Sequence, residues 1–176
     1  MSPEIRVLQQ NLRADAETGI VYWLPRPRTA FKLERSFKAF NTRFSDKPAL
    51  QSIDANGYRH GKAFGKTYKH CRVLWVLVYG YWPRRLDHIN GDKTDDRLVN
   101  LRDASAQENS RNCKRSAANT SGQTGVSRHG KKWRAYIMVD GKQQHLGLFN
   151  SKERAYGARL SAEKKHGFHK NHGRAP

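Results

Sequence analysis

The longest unbroken apolar run in the chain is Val73 to Tyr79, seven residues that stop at Gly80. A helix that crosses a bilayer needs ~20 such residues, so no membrane partner is predicted. A chain whose apolar residues come in pieces this short must seal small cores rather than one large one. Hydrophobic side chains make up 36% of its 176 residues, below the usual share of a globule. Four Trp, seven Tyr and seven Phe are left to do much of the sealing, and the length allows one or two domains. By periodicity, Cys71 to Tyr79 fits a buried strand or a buried helix: its β-branched residues favour the first and its glycine stop the second.

Thirty-four Lys and Arg against fifteen Asp and Glu leave a net charge of +19 and a pI near 10.4. Such a charge calls for a polyanionic partner. Nucleic acid comes first, because phosphate contacts release condensed counterions; the plainer reading is a solubilising surface. Residues 1–110 carry 19 basic and 12 acidic side chains, residues 111–176 carry 15 and 3, so the C-terminal third is the stronger electrostatic anchor. Against that trend, Asp87, Asp92, Asp95, Asp96 and Asp103 gather five acids into seventeen residues. Cys71 and Cys113 lack the spacing of a zinc knuckle or a disulfide framework. The first six residues hold no apolar signal region, and a reducing cytoplasm is the expected location.

Along the chain, Pro3 to Arg13 reads as a helix, Asp15 to Gly19 as a turn and Ile20 to Leu24 as a strand. Residues 25–52, basic with Phe31, Phe37, Phe40 and Phe44 scattered through them, give no clear element. Asn56-Gly57 marks a hairpin that runs through residue 69. Residues 84–89 and Val99 to Arg102 read as short strands around a polar loop. Ser105-Ala-Gln-Glu108 is a capping box, which puts Asn109 and Asn112 on one helix face. A small polar stretch over 116–124 reads as a linker. Beyond it, the alternation of Trp133 to Val139, the Asp140-Gly141 turn signal and a returning strand at His145 to Phe149 predict a three-stranded sheet. One helix capped by Ser151 packs across it, and the tail beyond Gly167 is expected to fray. The expected organisation is α+β: an N-terminal segment over 1–65, a core over 66–115 and a C-terminal domain over 125–176.

Asp87, His88, Asn100 and Asn109 form the constellation with chemical meaning. A strand, loop, strand and capped helix fold back so that the end of the first strand faces the first helical turn. A hard divalent cation held by an Asp and an Asn keeps open positions for water and a scissile phosphate. An imidazole, which titrates near ~6.5, suits proton abstraction at neutral pH. The cation would also offset the acid island, and Asn100 falls where its amide can hold the two strands together. On spacing alone, a polar β-turn-β-α unit with a surface histidine remains open.

The stretches His70 to Pro83, Leu86 to Arg102 and Glu108 to Asn112 resemble HNH endonucleases of phage and mobile introns. The resemblance implies a ββα-metal core, with the segment before Gly80 as a helix. It carries over His88 as general base, Asp87 and Asn109 as ligands of Mg²⁺ or Mn²⁺, and Asn100 as the loop-bracing residue of the motif. Asn109 stands where the motif's name has its final His, a variant common in the family. Asp95-Asp96-Arg97 replaces the frequent Asp-Asn-Arg. Leu12, Thr18-Gly19 and Trp23 are similar to a segment that often precedes such cores.

Gly125-Val126, Trp133-Arg134-Ala135, Ile137, Leu146-Gly147, Phe149, Ala155, Ala158 and Gly167 resemble the Apetala-type, or ethylene-response-factor, DNA-binding domain. That resemblance implies Arg128, Trp133 and Arg134 as DNA contacts and Lys131, Lys132 and Lys142 on the backbone. Trp133 reads equally as a core residue. Ser127 and Arg159 depart from the plant pattern, so base specificity does not transfer. Together these features predict a metal-dependent, site-directed endonuclease of double-stranded DNA from a phage or mobile element, monomeric or homodimeric, cutting one strand per site. The rivals are a non-catalytic DNA-binding protein with a vestigial nuclease core and an RNA-binding protein.

Overall fold

A computed structural model of the chain describes residues 2–170 and 172–175 and divides into two compact units, residues 1–103 and 104–176. Both mix helix and sheet, and the segment 66–115 contributes to each.

The first unit opens with helix α1 (Pro3–Asn11), where the Ser2 hydroxyl accepts the Ile5 amide and Ile5 and Leu8 are buried. The expected helix through Arg13 ends two residues early, because Leu12 turns extended and starts a hairpin: β1 (Leu12–Asp15) pairs antiparallel with β2 (Ile20–Trp23). The Asp15 carboxylate accepts the amides of Glu17 and Thr18 in the turn, and Gly19 supplies the left-handed residue at φ 68°.

Residues 25–52 fold after all. A short 3₁₀ turn at Arg28–Ala30 leads into α2 (Glu34–Phe44). Phe37, Phe40 and Phe44 recur at helical spacing, and the rings of Phe40 and Phe44 lie 6.0 and 6.1 Å from Trp23. The Arg26 guanidinium stacks 4.2 Å from the Phe40 ring. A three-stranded antiparallel sheet follows, β3 (Ser52–Ile53), β4 (Arg59–Ala63) and β5 (Lys66–Lys69), with β4 in the centre.

The apolar run becomes a helix, α3 (His70–Tyr79), which Gly80 ends at φ 77°. Burial chose between the two readings of its period: Cys71, Val73, Leu74, Trp75 and Val76 are all enclosed by Ile5, Leu8, Leu12, Val21, Leu50 and Leu101, and a helix satisfies its own backbone there. Each large aliphatic side chain so enclosed contributes roughly 1.5–3 kcal/mol. A two-stranded hairpin, β6 (Leu86–His88) with β7 (Leu101–Asp103), closes the unit, and a 3₁₀ turn at Leu98–Asn100 precedes β7.

The second unit begins with α4 (Ala106–Ser110), then β8 (Val126–His129), β9 (Lys132–Val139) and β10 (Lys142–Phe149) in an antiparallel sheet with β9 central, and α5 (Lys152–Lys165). Asp140 and Gly141 both take positive φ, 52° and 75°, as a tight hairpin requires. Ala155 and Ala162 of α5 pack on Val126, Ala135, Ile137 and Val139. Two expectations fail here. α4 is only five residues long, so Asn112 lies beyond it and shares no helix face with Asn109; it is buried, and its carbonyl accepts from Arg174 Nη1 at 2.6 Å. The tail does not fray among the described residues, since Gly173 donates to Cys113 O and Arg115 to Arg174 O.

Candidate active site

Strand β6 sets Asp87 opposite Arg102 and His88 opposite Leu101. Asp87 and His88 are 9% and 5% exposed, too enclosed to count as surface polar groups. Arg102 donates from Nε and Nη2 to Asp87 Oδ2 at 3.0 and 2.7 Å.

Behind His88 runs a buried chain of hydrogen bonds. The Val21 amide donates to His70 Nε2 at 3.1 Å. That nitrogen therefore holds the ring's lone pair and the proton sits on Nδ1, which is 2.7 Å from Asp96 Oδ2. Asp96 Oδ1 is 2.8 Å from His88 Nε2. Burial by itself would raise the Asp96 carboxyl, but the hydrogen bonds from His70 and His88 outweigh it and hold the group below its ordinary value. An ionised Asp96 accepts from both imidazoles, so His88 carries its proton on Nε2 and its lone pair on Nδ1.

The loop between the strands is held by Asn100, which is buried. Its amide donates to Asp95 O at 2.7 Å and Asn90 Oδ1 at 3.0 Å, while its oxygen accepts the Asn90 amide at 2.9 Å. The acid island resolves into separate pairings. Asp87 binds Arg102 and Asp96 binds the two histidines. Asp95 takes both arms of Arg97, which hold its carboxyl down at about 2, Asp92 accepts from Thr94, and Asp103 accepts the Arg85 amide.

One cluster among the described residues could hold a metal ion. Ligand atoms of Cys71, His88 and Asp96 lie within 4.8 Å of one another, all buried. Burial, then the charge of Asp96, pushes the Cys71 thiol up to about 12. Asp96 is already committed to two imidazoles. Asp87, expected from sequence as a metal ligand, accepts from Arg102 on β7. Asn109 belongs to the second unit, half-buried on α4, whose start is fixed by the reciprocal bonds of Ser105 and Glu108.

In the second unit, Trp133 is half-buried against Val126, Ala135 and Ala155, with Arg128 5.1 Å and Lys152 5.9 Å above its ring. Arg134 projects to the opposite face of β9, 5.4 Å from the Tyr136 ring. Lys131 and Lys132 are exposed where β8 turns into β9, and Lys142 is exposed where β10 begins. Arg159 is buried and ties α5 to the sheet by donating to Tyr136 O at 2.6 Å and Glu163 Oε1 at 2.7 Å.

Sequence reasoning missed His70, Asp96 and Arg102. Asp96 left one signal, an acid where the resembling family often has Asn; the other two left none in their spacing.

Residues 67–111 match the family described as HNH endonuclease. Protein 3.8 of Escherichia phage T7 is 36% identical over 89 residues, covering 48% of this chain and 74% of that protein. No solved structure matches. A strand ending in Asp87-His88, a braced loop and the capped start of α4 all fall within the matched residues, and the chain belongs to the family of phage T7 Protein 3.8, with an HNH endonuclease domain at residues 67–111.

Proposed function

We propose that the protein is a metal-dependent DNA endonuclease that hydrolyses a phosphodiester and cuts one strand per site. The buried chain from Val21 through His70 and Asp96 to His88 carries this reading, because it reserves the acceptor lone pair of His88 for Nδ1. His88 Nδ1 takes the proton of the attacking water, worth ~10² to 10⁴ in rate. Asp96 faces the imidazolium that forms and stabilises it. Asp87 and Asn109 would hold the divalent ion, Mg²⁺ or Mn²⁺, which when bound stabilises negative charge on the phosphoryl group and the leaving oxygen. Asn100 keeps the loop closed around β6 and β7, and Arg102 steadies the Asp87 carboxylate.

The C-terminal sheet, read as an Apetala-type domain, delivers duplex DNA. Arg134 sits on its helix-free face, Lys131, Lys132 and Lys142 serve the backbone, and Arg128 and Trp133 act from the other face. The setting is a phage-encoded protein at work in a bacterial cytoplasm. The test is conversion of supercoiled plasmid with Mg²⁺, with Mg²⁺ plus excess EDTA, and with His88→Ala after duplex binding by the variant is verified. Nicking that EDTA abolishes and the variant lacks is the expected result. Tight binding by the wild type with no cleavage in Mg²⁺ or Mn²⁺ would favour a non-catalytic binding protein. Cleavage that survives in the variant would remove His88 as the base.

A further inference from the structure

Next to Asp87 and His88 lies a pocket of about 240 Å³, lined by Tyr58, Lys69, Cys71, Arg72, Arg84, Arg85 and Leu86. Leu86 precedes Asp87 on β6, and the Tyr58 ring lies 5.9 Å from the His88 ring. Four cations line this pocket and no carboxylate does.

That balance is unusual for its neighbourhood. Asp87 and Asp95 each have an arginine partner and Asp96 has two histidines. Yet Lys69, Arg72, Arg84 and Arg85 make no ion pair among the described residues. Two of them are held in place by uncharged groups. Arg72 donates to Pro83 O at 2.8 Å, and the Lys69 ammonium sits 3.8 Å above the Tyr58 ring. Arg84 and Arg85 are exposed at the rim. Oriented cations left without counterions, in a recess open to solvent, fit a bound anion.

We infer that this pocket holds a backbone phosphate of the DNA strand next to the phosphodiester that is cut, with Arg84, Arg85 and Lys69 as its ligands. The inference rests on the nuclease reading for the strand's identity, but the pocket binds whether or not the chain cuts. Its ligands precede β6 in sequence, so a phosphate seated there fixes the strand's register relative to Asp87 and His88, which loop or sheet contacts further off would do less tightly.

The experiment is lysine acetylation of the full chain, read by mass spectrometry in EDTA so that cleavage plays no part. Saturating duplex should protect Lys69. Arg84→Gln combined with Arg85→Gln should loosen duplex binding ~10-fold, the worth of one charged hydrogen bond. The double variant should also flatten the salt dependence by ~0.9 for each lost contact and leave Lys69 open to reagent at duplex concentrations that still saturate it. Arg6→Gln, on the exposed side of α1, should keep the protection. Equal labelling of Lys69 with and without saturating duplex overturns the proposal. So does protection by inorganic phosphate at matched ionic strength with none from duplex, which would make this a free-anion site. Failure of the nuclease reading shows separately, as absent cleavage in Mg²⁺ with Lys69 still protected.

Discussion

His70 Nδ1 lies 2.7 Å from Asp96 Oδ2, across 26 residues of chain, and the two residues are 0% and 2% exposed. The pair is the anchor from which His88 is oriented. Asp96→Asn keeps the volume but offers one acceptor oxygen and an NH₂ where two acceptors stood, so one imidazole must change tautomer. Cleavage should fall by ~10²-fold or more, with DNA binding in EDTA unchanged. Asp96→Ala removes the carboxylate that both buried rings share and should cost about 2–4 kcal/mol of stability. Single-turnover cleavage and thermal unfolding of both variants are the measurements; wild-type rates in a folded Asp96→Asn would show that the ring is held by other means.

The same carboxylate gives the first unit an acid limit. Its folded pKa is below its ordinary value of 3.8, so its contribution is present above that value and disappears as pH falls through the folded pKa. Unfolding temperatures followed from about pH 5 downward should drop more steeply for the wild type than for Asp96→Asn. Parallel curves would contradict the assignment.

Gly19 couples the N-terminal hairpin to this loop. It is buried at φ 68°, and a Cβ there would lie 2.3 Å from the Arg97 amide nitrogen and 2.4 Å from the Asp96 carbonyl carbon, both backbone atoms. Gly19→Ala should destabilise the unit by at least ~1–3 kcal/mol and reduce cleavage by displacing Asp96. Denaturant unfolding alongside a plasmid assay reads both effects, and a fully active, fully stable variant would mean the loop tolerates the shift.

The two cysteines should differ in reactivity. The Cys71 thiol is buried and pushed up to about 12, whereas Cys113 is exposed. Iodoacetamide at mildly alkaline pH should modify Cys113 in the native protein and reach Cys71 only after unfolding. Peptide mapping decides it; rapid native alkylation of Cys71 would reveal an accessible thiolate and contradict its burial.

Lys131 and Lys132, exposed at the turn into β9, should act on DNA through charge alone. Replacing both with Ala should weaken binding across all sequences and reduce the salt dependence by ~0.9 per lost phosphate contact, with no loss of stability. Trp133→Ala should instead destabilise the second unit by roughly 1–3 kcal/mol, because its ring packs on Val126, Ala135 and Ala155. Titrations at several salt concentrations separate the two classes.

What could be read from sequence was local. Gly80 as a helix stop, the Ser105 capping box, the Asn56-Gly57 turn and the Asp140-Gly141 hairpin all act within a few residues of themselves, and each stands where expected. Helix α2 was also written locally, in Phe37, Phe40 and Phe44, but Pro25, Pro27 and the surrounding charges masked it. α4 proved shorter than its cap suggested because no apolar stripe continues past Ser110. The chain of bonds behind His88 had no local signature at all. Val21 and His70 are 49 residues apart, and only the packing of α3 against the N-terminal hairpin brings them together.

That packing has a practical consequence for anyone wishing to transplant the HNH domain. The matched residues 67–111 are not a self-sufficient cassette: the tautomer of His70 is set by an amide on β2, Leu98 donates to Ala16 O at 3.0 Å, and Gly19 abuts Asp96. A graft trimmed to the motif would keep its Asp87 and His88 yet lose the donor that tells His70 which nitrogen to protonate. The smallest portable unit therefore reaches back to β1, and residues 12–21 must travel with the matched segment.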